Sequence, residues 1–231
     1  MFRNEREFTD FVAKALTEAG YTLQREVPVG TRYRLDLLAA KDGVRRGIEV
    51  KFTSRGILDD LTKSRALLRL PEVDEMYVCG PKVFVSDDAL ALARSLGVGL
   101  LAVSDTADLT WPVQSKVLDP ARLSLGGNCT GVVLPGGDAI YNATVFNNGQ
   151  KTAVNVEVSM LQAGAFSAPK KSKARARRAA IEGSDKWDVT LVCKVKSTTR
   201  PGKHPLLVTV KADNAPREDS TIHYEVRAGK G

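Results

Sequence analysis

The hydrophobic pattern of this chain changes near Asp105, and the change requires a fold with two different parts. Before it, segments with the 3.6-residue period of a helix alternate with segments that have the character of strands. From residue 126 onward the helical period is lost, and short alternating stretches are separated by turn sequences such as Gly136-Gly137. We therefore predict an α/β domain over residues 1–106, a linker over 107–125 and an all-β domain over 126–231.

The first domain should contain a mixed sheet flanked by helices. Phe8, Val12 and Leu16 lie on one face of a predicted helix that Gly20 ends. The pattern predicts helices at 3–19, 59–70 and 87–96 and strands at 21–29, 32–39, 46–52, 75–79 and 99–103. A turn at 41–43 makes a hairpin of the second and third strands, whereas helices between the later strands favour parallel crossovers.

The second domain is predicted to be an immunoglobulin-like β-sandwich. Six stretches have the alternation of strands: 130–134, 139–146, 153–161, 187–196, 205–211 and 221–226. The segment DAIYNATVFNNGQKTAVNVEVSML, with an Asn-Gly turn between two strands, resembles adhesion-type sandwich modules. That resemblance covers a single hairpin.

Positive charge is concentrated in the second half of the chain. Residues 1–120 carry 17 Lys and Arg against 18 Asp and Glu, whereas residues 121–231 carry 17 against 9. The net charges of the two parts are thus −1 and +8, which sum to the +7 of the whole chain. A basic domain indicates a polyanionic partner, and the alternative is that the charge serves solubility alone.

The densest basic segment is PKKSKARARRAA, at positions 169–180. Its cations follow no apolar stripe, so it is not an amphipathic membrane helix. We interpret it as a mobile arm that neutralises phosphates of nucleic acid; the alternative is a solvated loop without a ligand. The nucleic-acid-binding candidates in it are Lys170, Lys171, Lys173, Arg175, Arg177 and Arg178.

Composition excludes several other classes of protein. No apolar run approaches the ~18 residues of a membrane span, and the N-terminal MFRNEREFTDF lacks the apolar core of a secretory signal. Cys79, Cys129 and Cys193 are far apart and odd in number, which argues against a disulfide framework or a zinc site. We expect a cytoplasmic protein without a membrane segment.

Three charged residues interrupt the apolar hairpin of the first domain. Glu49 and Lys51 are two residues apart and project from the same side of a strand, and the turn at 41–43 brings Asp36 beside them. Carboxylates this close repel unless a cation lies between them, and Mg²⁺ prefers oxygen ligands. Such a metal would polarise a phosphate and activate water, while Lys51 orients that water or stabilises the developing charge. The alternative is a surface ion pair, but the neighbouring Ile48 and Val50 favour burial.

The motifs ERE, RLD and IEVK, followed by a helix, resemble the PD-(D/E)xK nuclease superfamily, and especially Mrr-like enzymes and archaeal Holliday-junction resolvases. EMYVCGP and VSDDALALARSLGVGLLAV extend the resemblance over residues 1–105. It implies a restriction-endonuclease-like fold in which Asp36 and Glu49 bind the metal and Lys51 is the catalytic lysine. It also implies a helical carboxylate, Glu5, as a further catalytic and metal-binding residue. Glu7 is the alternative, although only Glu5 lies beside the apolar face of the helix.

The sequence thus predicts a nuclease dependent on Mg²⁺ or Mn²⁺, in which a basic sandwich is an accessory domain. DNA is the expected substrate, and a homodimer would suit the cutting of two strands. Arg34 and Lys63 are further candidates for binding phosphate, although each could instead be a structural or merely solvated side chain. The alternatives are an inactive nuclease fold that serves as a scaffold or binds nucleic acid, and a nuclease that acts on RNA.

Overall fold

A computed structural model describes residues 2–30, 32–129, 131–161, 164–167 and 173–228. The chain divides into two compact units, Met1–Leu118 and Asp119–Gly231. The first unit has three α-helices: α1 (Glu5–Glu18), α2 (Ser54–Leu67) and α3 (Asp87–Leu96). Its six strands are β1 (Thr22–Val29), β2 (Tyr33–Lys41), β3 (Val44–Val50), β4 (Glu75–Pro81), β5 (Gly99–Val103) and β6 (Leu109–Val113).

The six strands of the first unit form one mixed sheet in the order of the chain. β1, β2 and β3 are antiparallel to one another, β3, β4 and β5 are parallel, and β6 returns antiparallel to β5. Helices cover both faces of this sheet. Residues of α1 pack in one cluster with Tyr77, whereas residues of α2 and α3 pack in another with Val78. Because Tyr77 and Val78 are consecutive in β4, their side chains point to opposite faces of the sheet.

The helix ends follow from local side chains. Asn4 caps α1 by accepting a hydrogen bond from the Glu7 amide, and Phe8, Val12 and Leu16 are buried as the helical period predicts. Gly97 ends α3 in the left-handed conformation, with φ 70°. The second helix begins at Ser54, five residues before the predicted start at 59, because the Thr53 side chain caps it there.

The predicted linker at 107–125 contains ordered strands. β6 lies inside it and adds an edge strand to the first sheet, so β5 is not the last strand of this unit. Pro112 obscures this strand in the sequence, because proline is tolerated in a sheet only at an edge or a bulge. The second unit begins at Asp119, before the predicted boundary at 126.

The second unit is a β-sandwich, as predicted. Its described residues form the strands β7 (Leu123–Cys129), β8 (Val132–Val133), β9 (Asp138–Asn147), β10 (Ala153–Met160), β11 (Phe166–Ser167), β12 (Arg175–Ile181), β13 (Lys186–Val195), β14 (Gly202–Ala212) and β15 (Ala215–Val226). One sheet has the strand order β11-β13-β9-β7 and the other, five-stranded, the order β12-β10-β14-β15-β8. The inner faces of the two sheets share one apolar core.

The interpretation of the basic segment as a mobile arm is wrong from Lys173 onward. Lys173 forms a β-bridge with Val192, and the next residues form β12, which pairs with β10 at the edge of the five-stranded sheet. Arg175 and Arg177 alternate with Ala174 and Ala176. This is the period of two of a strand, but its apolar residues are small alanines. The predicted ligands Lys170 and Lys171 lie outside the described residues.

The Asn-Gly turn at 147–149 connects the two sheets and is not a hairpin. β9 pairs with β7 and β13, whereas β10 pairs with β12 and β14. The buried Asn147 amide fixes this crossing by donating to the carbonyls of Lys151, Ile181 and Glu182, at 2.8, 3.1 and 3.2 Å. Its oxygen accepts from the amides of Gly149 and Arg122.

No helix in the described part of the chain is both long enough and apolar enough to cross a lipid bilayer.

We expect Asn147→Ala to destabilise the second unit strongly, because several buried backbone groups lose their partner. Each such group costs roughly 1–3 kcal/mol, so the free energy of unfolding should fall by at least about 2 kcal/mol. Urea unfolding measures this. Asn142→Ala is the control, since this residue of β9 is exposed and its side chain accepts a hydrogen bond from the Thr190 hydroxyl. Equal losses for the two variants would contradict the role assigned to Asn147.

Candidate active site

The β2–β3 hairpin brings Asp36 beside Glu49. β2 and β3 pair Leu37 with Ile48, so the preceding residue of β2 comes next to the following residue of β3. The Asp36 carboxylate accepts a hydrogen bond from the Val50 amide at 2.8 Å. Asp36 therefore takes the place of a strand carbonyl at the end of the ladder. The Lys51 amide donates to the Cys79 carbonyl at 2.8 Å, which fixes the backbone of Lys51 against β4.

The Lys51 ammonium lies among carboxylates from three elements. Its Nζ is 3.2 Å from Glu5 Oε1 of α1, 3.3 Å from Asp60 Oδ2 of α2 and 3.8 Å from Asp36 Oδ2 of β2. The side chain is 20% exposed, so solvent screens these pairs only in part. Burial lowers the pKa of Lys51, but the charges of Asp36, Asp60 and Glu5 outweigh burial and raise it. Lys51 is therefore a charged ammonium at neutral pH.

Asp60 belongs to this site, and sequence reasoning missed it. Its side chain is 10% exposed and bridges two ammonium groups, with Lys63 Nζ 2.9 Å from Oδ1. The signal was present in α2, where Asp60 lies between the buried Ile57 and Leu61 on the apolar face. An acidic residue at a core position of a helix needs a buried partner. Lys51 supplies that partner.

The carboxyl group of Glu49 is the acid of the site whose negative charge the nearby cations offset only in part. Burial, the nearby Asp36 charge and a hydrogen bond to Asp36 raise its pKa to about 8, and the Lys51 charge lowers the pKa only in part. Glu49 therefore holds a proton at neutral pH unless another cation arrives. The fully ionised cluster has four carboxylates (Glu5, Asp36, Glu49, Asp60) and two ammonium groups (Lys51, Lys63), a net charge of −2 (2 − 4).

The pair Asp36 and Glu49 fits a divalent cation. A bound cation would replace the proton that the two carboxylates share, and Mg²⁺ usually binds through one or two carboxylates together with water and substrate phosphate. The predicted set of three carboxylates is not assembled, because Glu5 contacts Lys51 instead. Across the described residues, no three His, Cys, Asp or Glu side chains are grouped to hold a metal ion.

The structure separates the two helical carboxylates considered above. Glu5 reaches Lys51, whereas Glu7 accepts a hydrogen bond from the Arg3 amide at 2.8 Å and so belongs to the cap of α1. The register of the helix therefore brings Glu5 to the site. Its side chain is 51% exposed, which leaves it accessible to a ligand.

The two predicted phosphate-binding residues near the site differ in their surroundings. Lys63 joins the charge cluster through Asp60. Arg34 lies two residues before Asp36 on β2 and is 3.6 Å from Glu26, with both side chains exposed. An open cleft of about 590 Å³ lies beside the site and is lined by Glu5, Arg6, Thr9, Asp10, Arg25, Glu26 and Asp36. A ligand in this cleft could contact Glu5 and Asp36.

Comparisons with known proteins assign no activity to the chain. No protein-family model matches the chain. No curated protein matches it either. Among solved structures, the crystal structure of the CARDB domain of the PF1109 protein from Pyrococcus furiosus, in complex with di-metal ions, has 16% identity and a TM-score of 0.34, over 47% of this chain and 90% of that domain.

The solution structure of the same domain has 14% identity and a TM-score of 0.34, over 47% of this chain and 96% of that one. A β-glucosidase from Listeria innocua in complex with glucose has 16% identity and a TM-score of 0.30, over 46% of this chain and 16% of the enzyme. The case for a function therefore rests on the geometry of the chain itself.

The raised pKa of Glu49 predicts that the first unit loses stability as the pH rises. The folded state keeps the proton up to about pH 8, whereas the unfolded chain releases it near the ordinary value of 4.5. The contribution is therefore fully present below 4.5 and is lost as the pH rises through 8. In EDTA, Glu49→Gln should remove this loss, which is at most about 5 kcal/mol for such a shift and smaller because solvent screens the partly exposed carboxyl group.

The measurement is urea unfolding at a series of pH values, in a Trp187→Phe background. Trp111 then reports the first unit, because its ring packs edge to face on Tyr77 with centroids 4.6 Å apart. Glu18→Gln is the control, since this exposed residue of α1 pairs only with Lys14, at 3.8 Å, among the ion pairs of the described residues. The same pH dependence in the wild type and in Glu49→Gln would refute the assignment.

Proposed function

We propose that the chain is a nuclease dependent on Mg²⁺ or Mn²⁺ that hydrolyses phosphodiester bonds of nucleic acid, with DNA as the preferred substrate. The observation that carries the proposal is the charge balance at the end of the β2–β3 hairpin. The fully ionised cluster carries a net charge of −2, and the raised pKa of Glu49 supports a shortage of positive charge beside this carboxyl group. A divalent cation supplies the missing charge, and a phosphodiester supplies further oxygen ligands.

Asp36 and Glu49 are the side chains that would hold the ion. When bound, the ion would polarise the phosphate and lower the pKa of a coordinated water. The Val50 amide holds Asp36 in place for this role, and burial keeps Glu49 in a fixed environment.

Lys51 would act on the substrate directly. Its ammonium is charged, partly buried and held by carboxylates from α1, α2 and β2. In this position it can orient the attacking water or stabilise negative charge on the phosphate as the bond to the leaving oxygen breaks. Glu5 and Asp60 would position the ammonium, and the exposed Glu5 also faces any ligand in the neighbouring cleft.

The proposal includes the finer features of the fold. The first unit would be a restriction-endonuclease-like domain, because its hairpin and parallel strands carry the acid, acid and lysine in the order of that superfamily. The second unit would be an immunoglobulin-like accessory domain that binds polyanions. A homodimer would provide two sites for the two strands of a duplex. The setting would be the cytoplasm, where DNA and Mg²⁺ are both present.

A scaffold with an inactive nuclease fold is the second candidate. The observation in its favour is that the Lys51 ammonium forms ion pairs with three carboxylates. Lys51 could then be a purely structural residue. Calorimetric titration with Mn²⁺ separates the two candidates, because the nuclease requires metal binding that Glu49→Gln weakens and the scaffold requires none.

We expect Asp36→Asn and Lys51→Met to abolish cleavage with Mg²⁺, with losses of at least about 10²-fold in rate. Asp60→Asn should cost roughly 10- to 100-fold, because the ammonium loses one of the groups that position it. The assay uses end-labelled duplex DNA, single-stranded DNA, a four-way junction and RNA, each with Mg²⁺ and with EDTA. Cleavage of the RNA alone would shift the proposal to an RNA-directed nuclease.

Lys14→Met is the matched control for the loss of a lysine. This exposed residue lies on α1 and pairs with Glu18 at 3.8 Å, so its variant should cleave like the wild type. The site variants should still bind labelled DNA in EDTA and still unfold cooperatively above the assay temperature, which excludes unfolding as the cause. Site variants that cleave as fast as the wild type would disprove the proposal.

A further inference from the structure

A second cluster of charges lies on the outer face of the five-stranded sheet, with the opposite balance. Its centre is Glu157 of β10, whose side chain is only 6% exposed. Three cations from the flanking strands surround the carboxylate. Arg177 donates from Nε to Oε2 at 2.7 Å, and Arg175 Nε and Lys211 Nζ lie 3.5 and 3.4 Å from Oε1.

The register of the strands creates this convergence. Glu157 lies opposite Arg177 on one side and Lys211 on the other, so the three residues form one row across β12, β10 and β14. The next row places Arg175 opposite Ser159, and Ser159 opposite Thr209. Side chains in such rows stand on one face of the sheet.

The cations keep donors for another ligand. Arg175, Arg177 and Lys211 are 58, 72 and 57% exposed, although each also contacts the buried carboxylate. Because Arg177 uses Nε for that contact, its two terminal nitrogens can still bind an anion. Burial alone would raise the pKa of Glu157, but Arg177, Arg175 and Lys211 lower it, so Glu157 is ionised at neutral pH and can orient its neighbours.

A fourth cation extends the row on β15. Arg217 donates to Asp219 at 2.9 Å and to the Thr209 hydroxyl at 3.3 Å. Arg217, Lys211, Arg175 and Glu157 line an open concavity of about 570 Å³. We call this set, together with Arg177, the Glu157 face. Counting Asp219 as well, it has four cations and two carboxylates, a net charge of +2 (4 − 2).

We propose that the Glu157 face binds the phosphodiester backbone of duplex nucleic acid, and that Glu157 positions the cations that contact the phosphates. Charge complementarity identifies the occupant, because residues 119–231 carry 17 Lys and Arg against 10 Asp and Glu. None of the described residues that line the concavity is aromatic, so none of them can stack on an unpaired base. A duplex, whose bases are already paired, therefore suits this surface better than a single strand. Arg178 is outside this face, because it follows Arg177 in the strand and points to the opposite side.

The inference rests on the proposed function only for the identity of the polymer. Binding is therefore measured without catalysis, on the full chain carrying Asp36→Asn, in EDTA, by fluorescence anisotropy of a labelled DNA duplex over a series of NaCl concentrations. A failure to cleave DNA would leave this measurement unaffected. A failure of the Glu157 face would likewise leave the metal site intact.

The double variant Arg175→Ala/Arg217→Ala tests the phosphate contacts. It leaves Arg177 and Lys211 on Glu157, so the buried carboxylate keeps two partners. The slope of log K against log[NaCl] should become shallower by about 2, and Kd should rise roughly tenfold or more. The control Lys186→Ala/Lys194→Ala removes two cations of β13, in the other sheet, where each pairs with an exposed aspartate. It should leave the slope unchanged.

Glu157→Gln tests the positioning role. The variant adds one unit of positive charge, so diffuse attraction alone would tighten binding, whereas the loss of positioning weakens it. We expect weaker binding at every salt concentration, with an unchanged thermal midpoint as evidence of folding. Equal effects of the two double variants, tighter binding by Glu157→Gln, or binding of anionic phospholipid vesicles but not of the duplex would each overturn the proposal.

Discussion

The ion pairs of Lys51 are the interaction on which the first unit depends. A single ammonium forms ion pairs with side chains from α1, β2 and α2, so it joins both faces of the sheet at the end of the hairpin. Burial and the Asp36 charge raise the pKa of Glu49 to about 8, and the Lys51 charge offsets them only in part. A structural ion pair would need no such deficit, since buried charges are normally matched. The deficit is the feature that turns a structural cluster into a candidate site for a cation.

Local patterns in the sequence were sufficient to predict most of the elements. The helical stripe of Phe8 and Leu16, and the turn at 41–43, depend on interactions between near neighbours, and the structure has them. The pairing of strands depends on distant parts of the chain. The Asn147 turn has the sequence of a hairpin, but the buried amide also bonds to the distant Ile181 and Glu182, and the chain crosses between sheets instead. Pro112 likewise concealed an edge strand, because the pairing of β6 with β5 cannot be read from the residues next to this proline.

The sequence predicted the charged residues of the site that lie on one strand or one hairpin. Asp36, Glu49 and Lys51 meet because a strand has a period of two and the hairpin has a fixed register. The contribution of Glu5 depended on the register of α1, which the apolar face indicated. Asp60 comes from a helix on the other face of the sheet, so only its place among buried residues could have indicated it. The roles of the arginines in β12 depended on Glu157 in a different strand, and no local pattern contains that information.

The two charged clusters each contain a buried acid, but they have net charges of opposite sign. Around Glu49, carboxylates outnumber ammonium groups, and a buried acid must hold a proton or meet a cation. Around Glu157, cations outnumber carboxylates, and a buried acid stays ionised while its neighbours keep donors for an anion. Under the function proposed above, the first environment would act on the bond that breaks and the second would hold the rest of the polymer. Each unit of the chain supplies one of these environments from its own residues.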